Sequence, residues 1–406
     1  MEKIYTALGL MSGTSLDGID ASIIRSDGKS QYKSILNKYY KYNPEIPKTM
    51  NKIKSKLKDF SLTLNEKKTT IIPEYQRKHY EELNETIKIV ERKITILHAE
   101  LANKIISEFG ENVDFIGFHG QTIEHDPTNS FTKQLGDASL LSQLTKKKVI
   151  YDFRKNDMIN GGQGAPLVPI FHKQMIYQLG FDLPITIMNL GGIANVTELW
   201  MAPKNLYTGA ETKFIAHAKD IGPGNCLLDL WIRNNSKNEY DDKGKLAERG
   251  KIDHDILNNK LDTFLYHRGD TADLGYPSLD VNDFDVSFVK GLTIEDGAAT
   301  LIEYTAEVIA YYFNKNSWYN SHKSDFKKKI LVCGGGRKNT FLMKSIQKKI
   351  KLELLNIDDF GINGDFVESQ AFAYLAIRSI LKLPISFPDT TGCKEPCTGG
   401  VIVENF

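Results

Sequence analysis

Side chains able to do chemistry gather in this chain beside short glycine-bearing stretches. The first runs from Gly9 to Asp20, where Gly9, Gly13 and Gly18 let the backbone approach a ligand closely. Ser12, Thr14 and Ser15 set hydroxyls beside the loop amides, with Met11 and Leu16 in the same run. Amides converging on one point make an anion-binding concavity without a lysine. Asp17 and Asp20 suit a phosphate only if a divalent cation lies between, and Mg²⁺ takes one or two protein carboxylates together with phosphate oxygens. The same residues also suit a plain Gly/Ser-rich surface hairpin.

Farther on, His119, Gln121 and Thr122 could hydrogen-bond a polyhydroxylated ligand, or His119 could be satisfied inside a strand-end turn. Arg154 is suited to a bidentate grip on a carboxylate, and equally to pairing with a neighbouring acid, in a segment that includes Asp152 and Asp157. Asp220 stands just ahead of Gly222-Pro223-Gly224-Asn225, as a catalytic carboxylate or as a turn-forming one. Gly334-Gly335-Gly336 offers a side-chain-free surface on which a flat ligand such as adenine could lie. Glu368, in a first helical turn, suits the helix dipole if nothing more.

These residues need elements to hold them. Ile4 to Leu8 and Ala21 to Ile24 read as strands flanking the first loop. Leu83, Ile87, Val90, Ile94, Leu97, Leu101 and Ile105 recur at helical spacing within 72–109. The stretch 26–68 is polar and lysine-rich, a solvated face. Phe115 to Ile123 and Val149 to Tyr151 read as strands with polar residues at their ends, where open α/β sheets place ligands. At Pro184 the opening pattern restarts: a strand, then Asn189, Gly191, Gly192 and Asn195 in a turn, then a returning strand to Trp200. Two halves, each led by a phosphate-contacting hairpin, would place a nucleotide between them. Later elements are a strand from Phe214 to Ala218, a helix after Thr293-Ile294-Glu295-Asp296, a buried strand Ile330 to Cys333, a helix from about Asn339, a strand Leu352 to Leu355, and a last long helix opened by Glu368. The fold class is α/β, with domains at 1–183 and 184–406 and a last helix able to pack back on the first.

Composition removes other classes. With 406 residues, two domains are expected. Fifty-two Lys and Arg against 51 Asp and Glu give a charge of +1, no basis for a nucleic-acid or membrane-surface partner. No signal-peptide pattern or spanning apolar run occurs, which points to the cytoplasm. Cys226, Cys333, Cys393 and Cys397 read as reduced thiols, the last two lacking the second ligand pair of a zinc site. Neither a GxxxxGK[ST] loop nor a complete GxGxxG fingerprint is present.

Met11 to Gly18, His119 to Thr122, Asp152-Phe153-Arg154 with Gly161 to Pro169, Asn189 to Asn195, Gly222 to Asn225 and Val332 to Gly336, in this order and across nearly the whole chain, resemble anhydro-N-acetylmuramic acid kinases. The resemblance implies a two-domain actin/hexokinase-like (ribonuclease H-like) fold with an interdomain cleft. It implies ATP and Mg²⁺ as cofactors, an amino-sugar substrate, a role in cell-wall recycling, and a homodimer. The implied reaction opens a 1,6-anhydro sugar with water at its anomeric carbon while O6 receives the γ-phosphoryl group. Asp220 would be the base, in the manner of an inverting glycosidase, and Glu368 a second active-site carboxylate. The hairpins at Gly9 to Asp17 and Asn189 to Asn195, with Gly222, Gly224, Asn225 and Gly334 to Gly336, would bind nucleotide and phosphate. His119, Gln121, Thr122, Arg154 and Asp157 would face the sugar, and Asp17 the metal.

Two departures limit the transfer. Tyr276 to Phe284 replaces a family stretch containing Lys and Arg, and Lys219 replaces a usual Phe before the catalytic Asp, with an insertion at 201–213 lengthening the second hairpin. An ordinary sugar kinase of the same fold, or a non-enzymatic ATPase of the chaperone or actin class, are the alternatives. A sugar-panel phosphorylation assay separates them.

Overall fold

The computed structural model describes residues 3–13, 16–66, 74–202, 213–268, 279, 281–315 and 329–406. By contacts the chain forms two units, Met1–Gln178 with Glu368–Phe406, and Leu179–Val367. The expected division at 183/184 left residues 368–406 in the second half; they sit with the first.

In the first unit β1 (Tyr5–Ser12), β2 (Gly18–Ser26) and β3 (Tyr32–Lys41) form an antiparallel meander, and β4 (Phe115–Asp126) and β6 (Lys148–Tyr151) add parallel strands beyond β1. A short β5 (Phe131–Leu135) folds back on the end of β4, and β12 (Val401–Val403) closes the edge antiparallel to β6. The order is therefore β3-β2-β1-β4-β6-β12. In the second unit β7 (Ile185–Leu190), β8 (Ile193–Ala202) and β9 (Lys213–Pro223) repeat the meander, and β10 (Lys329–Cys333) and β11 (Glu353–Asn356) repeat the parallel strands, giving β9-β8-β7-β10-β11. The same strand order twice is the duplicated ribonuclease H-like arrangement of the actin and hexokinase class.

The central strands are nearly continuous apolar runs because helices cover them. In the first unit α1 (Glu45–Glu66) and α2 (Glu74–Phe109) bury Met50, Ile53, Leu83, Ile87, Ile94 and Ile105 with Leu8, Leu10 and Ile116 in one core. The helical periodicity expected over 72–109 is this α2 face. In the second, α8 (Ile294–Lys315) lays Leu301, Val308 and Tyr312 against the sheet with α6 (Cys226–Asn235). Its start is held by Asp296 N donating to Thr293 Oγ1 at 3.1 Å.

One helix reaches unusually close to a sheet. A Cβ added at Gly9 would lie 1.9 Å from the Ser369 carbonyl oxygen, and one at Gly117 would lie 2.3 Å from that of Phe372. Gly9 and Gly117 are register partners on β1 and β4, so α10 (Val367–Ile380) seats on a glycine pair. Gly9, expected at a phosphate, is thus a packing glycine.

Candidate active site

In the second unit the three glycine motifs singled out in the sequence converge. Gly224 N donates to Gly192 O at 2.9 Å, and Asn225 N to Gly191 O at 2.8 Å, so the turn before α6 is braced on the β7–β8 hairpin. The Asn225 side-chain amide donates to Leu190 O at 3.3 Å. Gly334, at φ 79°, lies where a Cβ would be 2.2 Å from Asn189 Oδ1, and at Gly336 one would be 2.7 Å from Leu190 Cβ. Gly222, Gly224 and Asn225 therefore organise the hairpin with their own backbone, Gly224 and Asn225 through amides that would otherwise be aimed at a ligand. The open faces are at Gly191, where an added Cβ meets nothing nearer than 3.5 Å, and at Gly335, nothing nearer than 3.8 Å. Arg337 holds the turn from behind: its Nη1 donates to Gly334 O at 2.9 Å while Nε and Nη2 grip Asp358 at 2.9 and 3.0 Å. The sequence reading missed Arg337. Its signal is an arginine directly after a glycine run with two acids about twenty and thirty residues on.

Asp220 belongs to the same unit. Asn195 pairs with Asp220 but Ala194 with Gly222, so Ile221 is the extra residue of a β-bulge, a common device for re-aiming a side chain beside a site. Asp220 Oδ2 accepts from Leu279 N at 2.8 Å. Burial raises its pKa from 3.8 to about 6, against the Leu279 hydrogen bond, which lowers it. A carboxylate titrating there is poised for general-base work near neutrality. Lys219 puts its ammonium 4.6 Å from the Tyr312 ring centroid on α8; successive strand residues alternate faces, so this departure points away from Asp220. Of the divergent stretch, Leu279 touches Asp220, while Tyr276, Pro277, Ser278 and Asp280 lie outside the described residues, as does 203–212 of the insertion.

In the first unit the opening hairpin is braced in the same manner. Ser12 Oγ accepts from the Tyr42 hydroxyl at 2.9 Å and lies 2.6 Å from Gln121 Oε1 and 2.8 Å from Gly18 O. Gln121 Nε2 donates to Gly13 O at 2.9 Å. Ser12 and Gln121 are buried, and Met11 and Leu16 belong to the core, with Leu16 in the left-handed region at φ 59°. The Ser12 and Gln121 side chains therefore lock the loop to β4 instead of presenting polar groups outward. Asp17 is exposed, its carbonyl accepting from Tyr42 N and from the Tyr39 hydroxyl, each at 3.0 Å. Thr14 and Ser15 lie outside the described residues.

At the ends of β4 and β6, Arg154 Nη2 donates to His119 Nε2 at 2.8 Å and Nη1 to Gly164 O at 2.8 Å. Arginine only donates, so His119 Nε2 carries the lone pair and Nδ1–H donates to Gly120 O, 2.9 Å away. Burial, then the Arg154 charge, holds His119 well below its usual pKa and neutral. Its ring lies 4.4 Å from that of Phe372 on α10. Glu368, at the start of α10, is pushed up by burial and pulled back by Arg154; burial lowers Arg154 to about 10 against Glu368 and Asp157. Thr122 sits beside Gln134, whose Nε2 donates to its hydroxyl at 3.4 Å. A cavity of about 380 Å³ opens beside His119, lined also by Gly120, Thr132, Gln134, Asp152 and Lys155, within the size range of small-ligand sites.

Asp157 has a different setting. It is 1 % exposed, with Oδ2 accepting from Gly164 N at 2.7 Å and Oδ1 from the Thr391 hydroxyl at 2.6 Å. Gly162 leaves room for that carboxylate, since a Cβ there would lie 2.2 Å from Oδ2. Asp157, expected to face the sugar, thus shapes the loop whose carbonyl holds Arg154.

The family model described as anhydro-N-acetylmuramic acid kinase matches residues 5–405. An anhydro-N-acetylmuramic acid kinase of Pelagibacter ubique (strain HTCC1062) is 47% identical over 408 residues, covering 100% of both chains. One of Zymomonas mobilis subsp. mobilis (strain ATCC 31821 / ZM4 / CP4) is 36% identical over 98% of this chain and 99% of its own. Among solved structures, component A of the Acidaminococcus fermentans (R)-2-hydroxyglutaryl-CoA dehydratase is 10% identical over 93% of this chain and 100% of its own, with a TM-score of 0.42.

Proposed function

The chain belongs to the anhydro-N-acetylmuramic acid kinase family and is an ATP-dependent kinase of 1,6-anhydro-N-acetylmuramic acid, and from this premise we propose that Asp220 is the base that activates water. The carrying observation is the Asp220 carboxylate, raised to about 6 on a bulged strand in the same unit as the glycine turns. Asp220 takes a proton from water as the oxygen attacks C1; the C1–O6 bond breaks, and O6 takes the γ-phosphoryl group from ATP, releasing ADP. No protein acid is needed at O6, because the phosphoryl group captures it. The products are N-acetylmuramic acid 6-phosphate and ADP, and the step serves cell-wall recycling.

Nucleotide is assigned to the open faces at Gly191 and Gly335, with Gly192, Asn189 and Asn195 beside them in the hairpin. The first hairpin, through Gly13 to Asp17, is assigned to phosphate. Asp17, an exposed carboxylate beside a glycine loop, has the hard oxygen donor that Mg²⁺ prefers, and would hold it together with water. When bound, Mg²⁺ neutralises phosphate charge. The amino sugar is assigned to the cavity beside His119. Arg154, hydrogen-bonded to the cavity-lining His119 and to Gly164, keeps unused N–H groups that we assign to the lactyl carboxylate, and Thr122, beside the cavity-lining Gln134, is assigned to a sugar hydroxyl. Glu368, whose charge acts favourably on Arg154, is assigned as a second active-site carboxylate. Phosphoryl transfer depends mainly on such positioning.

The reaction is assigned to the cytoplasm, where ATP is available as donor. Among the described residues no helix is long and apolar enough to cross a membrane. A homodimer belongs to the same proposal and is checked by light scattering. The function itself is tested by offering ATP with the anhydro sugar, N-acetylmuramic acid and N-acetylglucosamine. Phosphorylation of the anhydro sugar in strong preference supports the reading; preference for a reducing sugar makes the protein an ordinary sugar kinase.

A further inference from the structure

The first unit brings together three donors from two separate stretches of the sequence. Asp157, Cys393 and Cys397 each offer a ligand atom, and these atoms all lie within 4.8 Å of one another. All three residues are buried, at 1 %, 2 % and 5 % exposure. The sequence left Cys393 and Cys397 without further ligands; the fold supplies a carboxylate from more than 230 residues upstream.

We propose that Asp157, Cys393 and Cys397 form a structural site for a thiophilic divalent cation, zinc above all, that fastens the segment around Cys393–Cys397 to the short helix Lys155–Ile159, which carries Asp157, and the loop after it. A tetrahedral Zn²⁺ with bonds of about 2.3 Å to sulfur and about 2.0–2.2 Å to oxygen puts its donors roughly 3.5–4 Å apart, which small side-chain rotations reach from the observed spacing. Two thiolates select zinc over Mg²⁺ or Ca²⁺. Water takes the fourth corner.

The surroundings match what a ligating carboxylate requires. Ligand carboxylates are themselves hydrogen-bonded by outer groups that fix their direction, and Asp157 accepts from Gly164 N and from Thr391 Oγ1, leaving further lone pairs on both oxygens. The Cys397 thiol donates to the Glu395 carbonyl at 3.0 Å, a weak bond that a coordinating thiolate gives up. A metal deprotonates coordinating thiols outright and offsets that cost. Two thiolates and one carboxylate with Zn²⁺ carry one net negative charge, and the Arg154 guanidinium interacts with Asp157 favourably.

The segment is already tied to the loop at several points. Gln163 N donates to Thr391 O at 2.8 Å, Lys394 N to Asn160 O at 3.1 Å, and Asn156 Nδ2 to Thr398 O at 2.6 Å. A cation at Asp157 would make these ties permanent and so fix Gly164, whose carbonyl holds Arg154. The site is separate from the chemistry assigned to Asp220 and stands whether or not that assignment does.

The test uses the full chain incubated with zinc sulfate, freed of loose metal by gel filtration, and analysed by mass spectrometry of the metal. About one zinc per chain is expected, with none in the Cys393→Ser/Cys397→Ser double variant and undiminished content in Cys226→Ser. Because the double variant could fail to fold, the wild type carries a second readout: Co²⁺ should bring thiolate-to-cobalt charge-transfer absorption, and zinc but not Mg²⁺ should raise the melting temperature. Wild type that retains no zinc, a folded double variant that keeps it, or a thiol titration in denaturant that finds two of the four cysteines oxidised to a disulfide would each overturn the site.

Discussion

Replacing Asp220 by asparagine should weaken catalysis and strengthen the fold, and the two effects follow from the same burial. A carboxyl whose pKa is raised from 3.8 to about 6 is harder to ionise in the folded chain than in the unfolded one. Its contribution to stability is therefore full below 3.8 and is lost as pH rises through about 6, because the unfolded chain gives up its proton first. At about 1.36 kcal/mol per pH unit of difference the cost of keeping Asp220 ionised reaches about 3 kcal/mol, an upper figure, since a half-buried group is partly screened; about 1–2 kcal/mol is expected. Asparagine keeps an oxygen to accept from Leu279 N at the place where Oδ2 now accepts, 2.8 Å away, so the swap removes charge and little else. Thermal melts should show Asp220→Asn more stable than wild type at pH 8 and indistinguishable at pH 4. Turnover of the anhydro sugar should fall by roughly 10²-fold or more, with both ligands still bound in calorimetry. In the wild type, kcat/KM should decline about tenfold per pH unit below about 6. A variant less stable than wild type at pH 8, or a wild-type profile flat from pH 5 to 8, would refute the reasoning.

Other outcomes follow from the geometry. Arg154→Lys should weaken sugar binding by about tenfold or more and leave nucleotide binding nearly intact, since an ammonium cannot replace a guanidinium that serves His119 and Gly164 at once; calorimetric titration of each ligand reads the difference, and equal losses would make Arg154 a purely architectural residue. Gly335→Ala should fold normally and bind ATP more weakly, whereas Gly334→Ala, whose new Cβ meets Asn189 Oδ1 at 2.2 Å in the left-handed region, should lose about 1–3 kcal/mol in denaturant melts; similar behaviour of both variants contradicts the assignment of an open face to Gly335. Gly117→Ala should cost at least as much stability, because α10 sits where its Cβ would be; an unchanged melting temperature would show that the helix can retreat freely.

The fold was legible wherever the pattern was local. The two hairpins, the parallel strands at Phe115 and Ile330 and the α2 and α8 faces follow from apolar runs and helical spacing. Several elements were not read, among them β3, α1, β5 and β12. β3 and α1 lie in the lysine-rich stretch, where Ile46, Met50 and Ile53 keep a helical spacing on one buried face while lysines outnumber them around it. The return of residues 368–406 to the first unit was legible only as an option, because it depends on the glycine pair Gly9 and Gly117, and nothing local announces that two glycines on different strands will be register partners. At the site the motifs located the right stretches and misjudged individual atoms. Ser12, Gln121 and Asp157 are polar residues on strands or a short helix beside glycine-bearing loops, and each spends hydrogen bonds on bracing its surroundings. Which way a polar side chain turns is decided by partners distant in sequence, such as Tyr42 and Thr391, so spacing alone could not reveal it.

Whether Asp220 delivers water to the anomeric carbon is decided most directly by running the reaction in ¹⁸O-labelled water and locating the label by mass spectrometry of the freshly formed product. The label should appear at C1 of the sugar and not in the phosphate, because attack there breaks the C1–O6 bond and leaves O6 to the phosphoryl group. Label in the phosphate, or none in the sugar before exchange, would contradict the role given to Asp220.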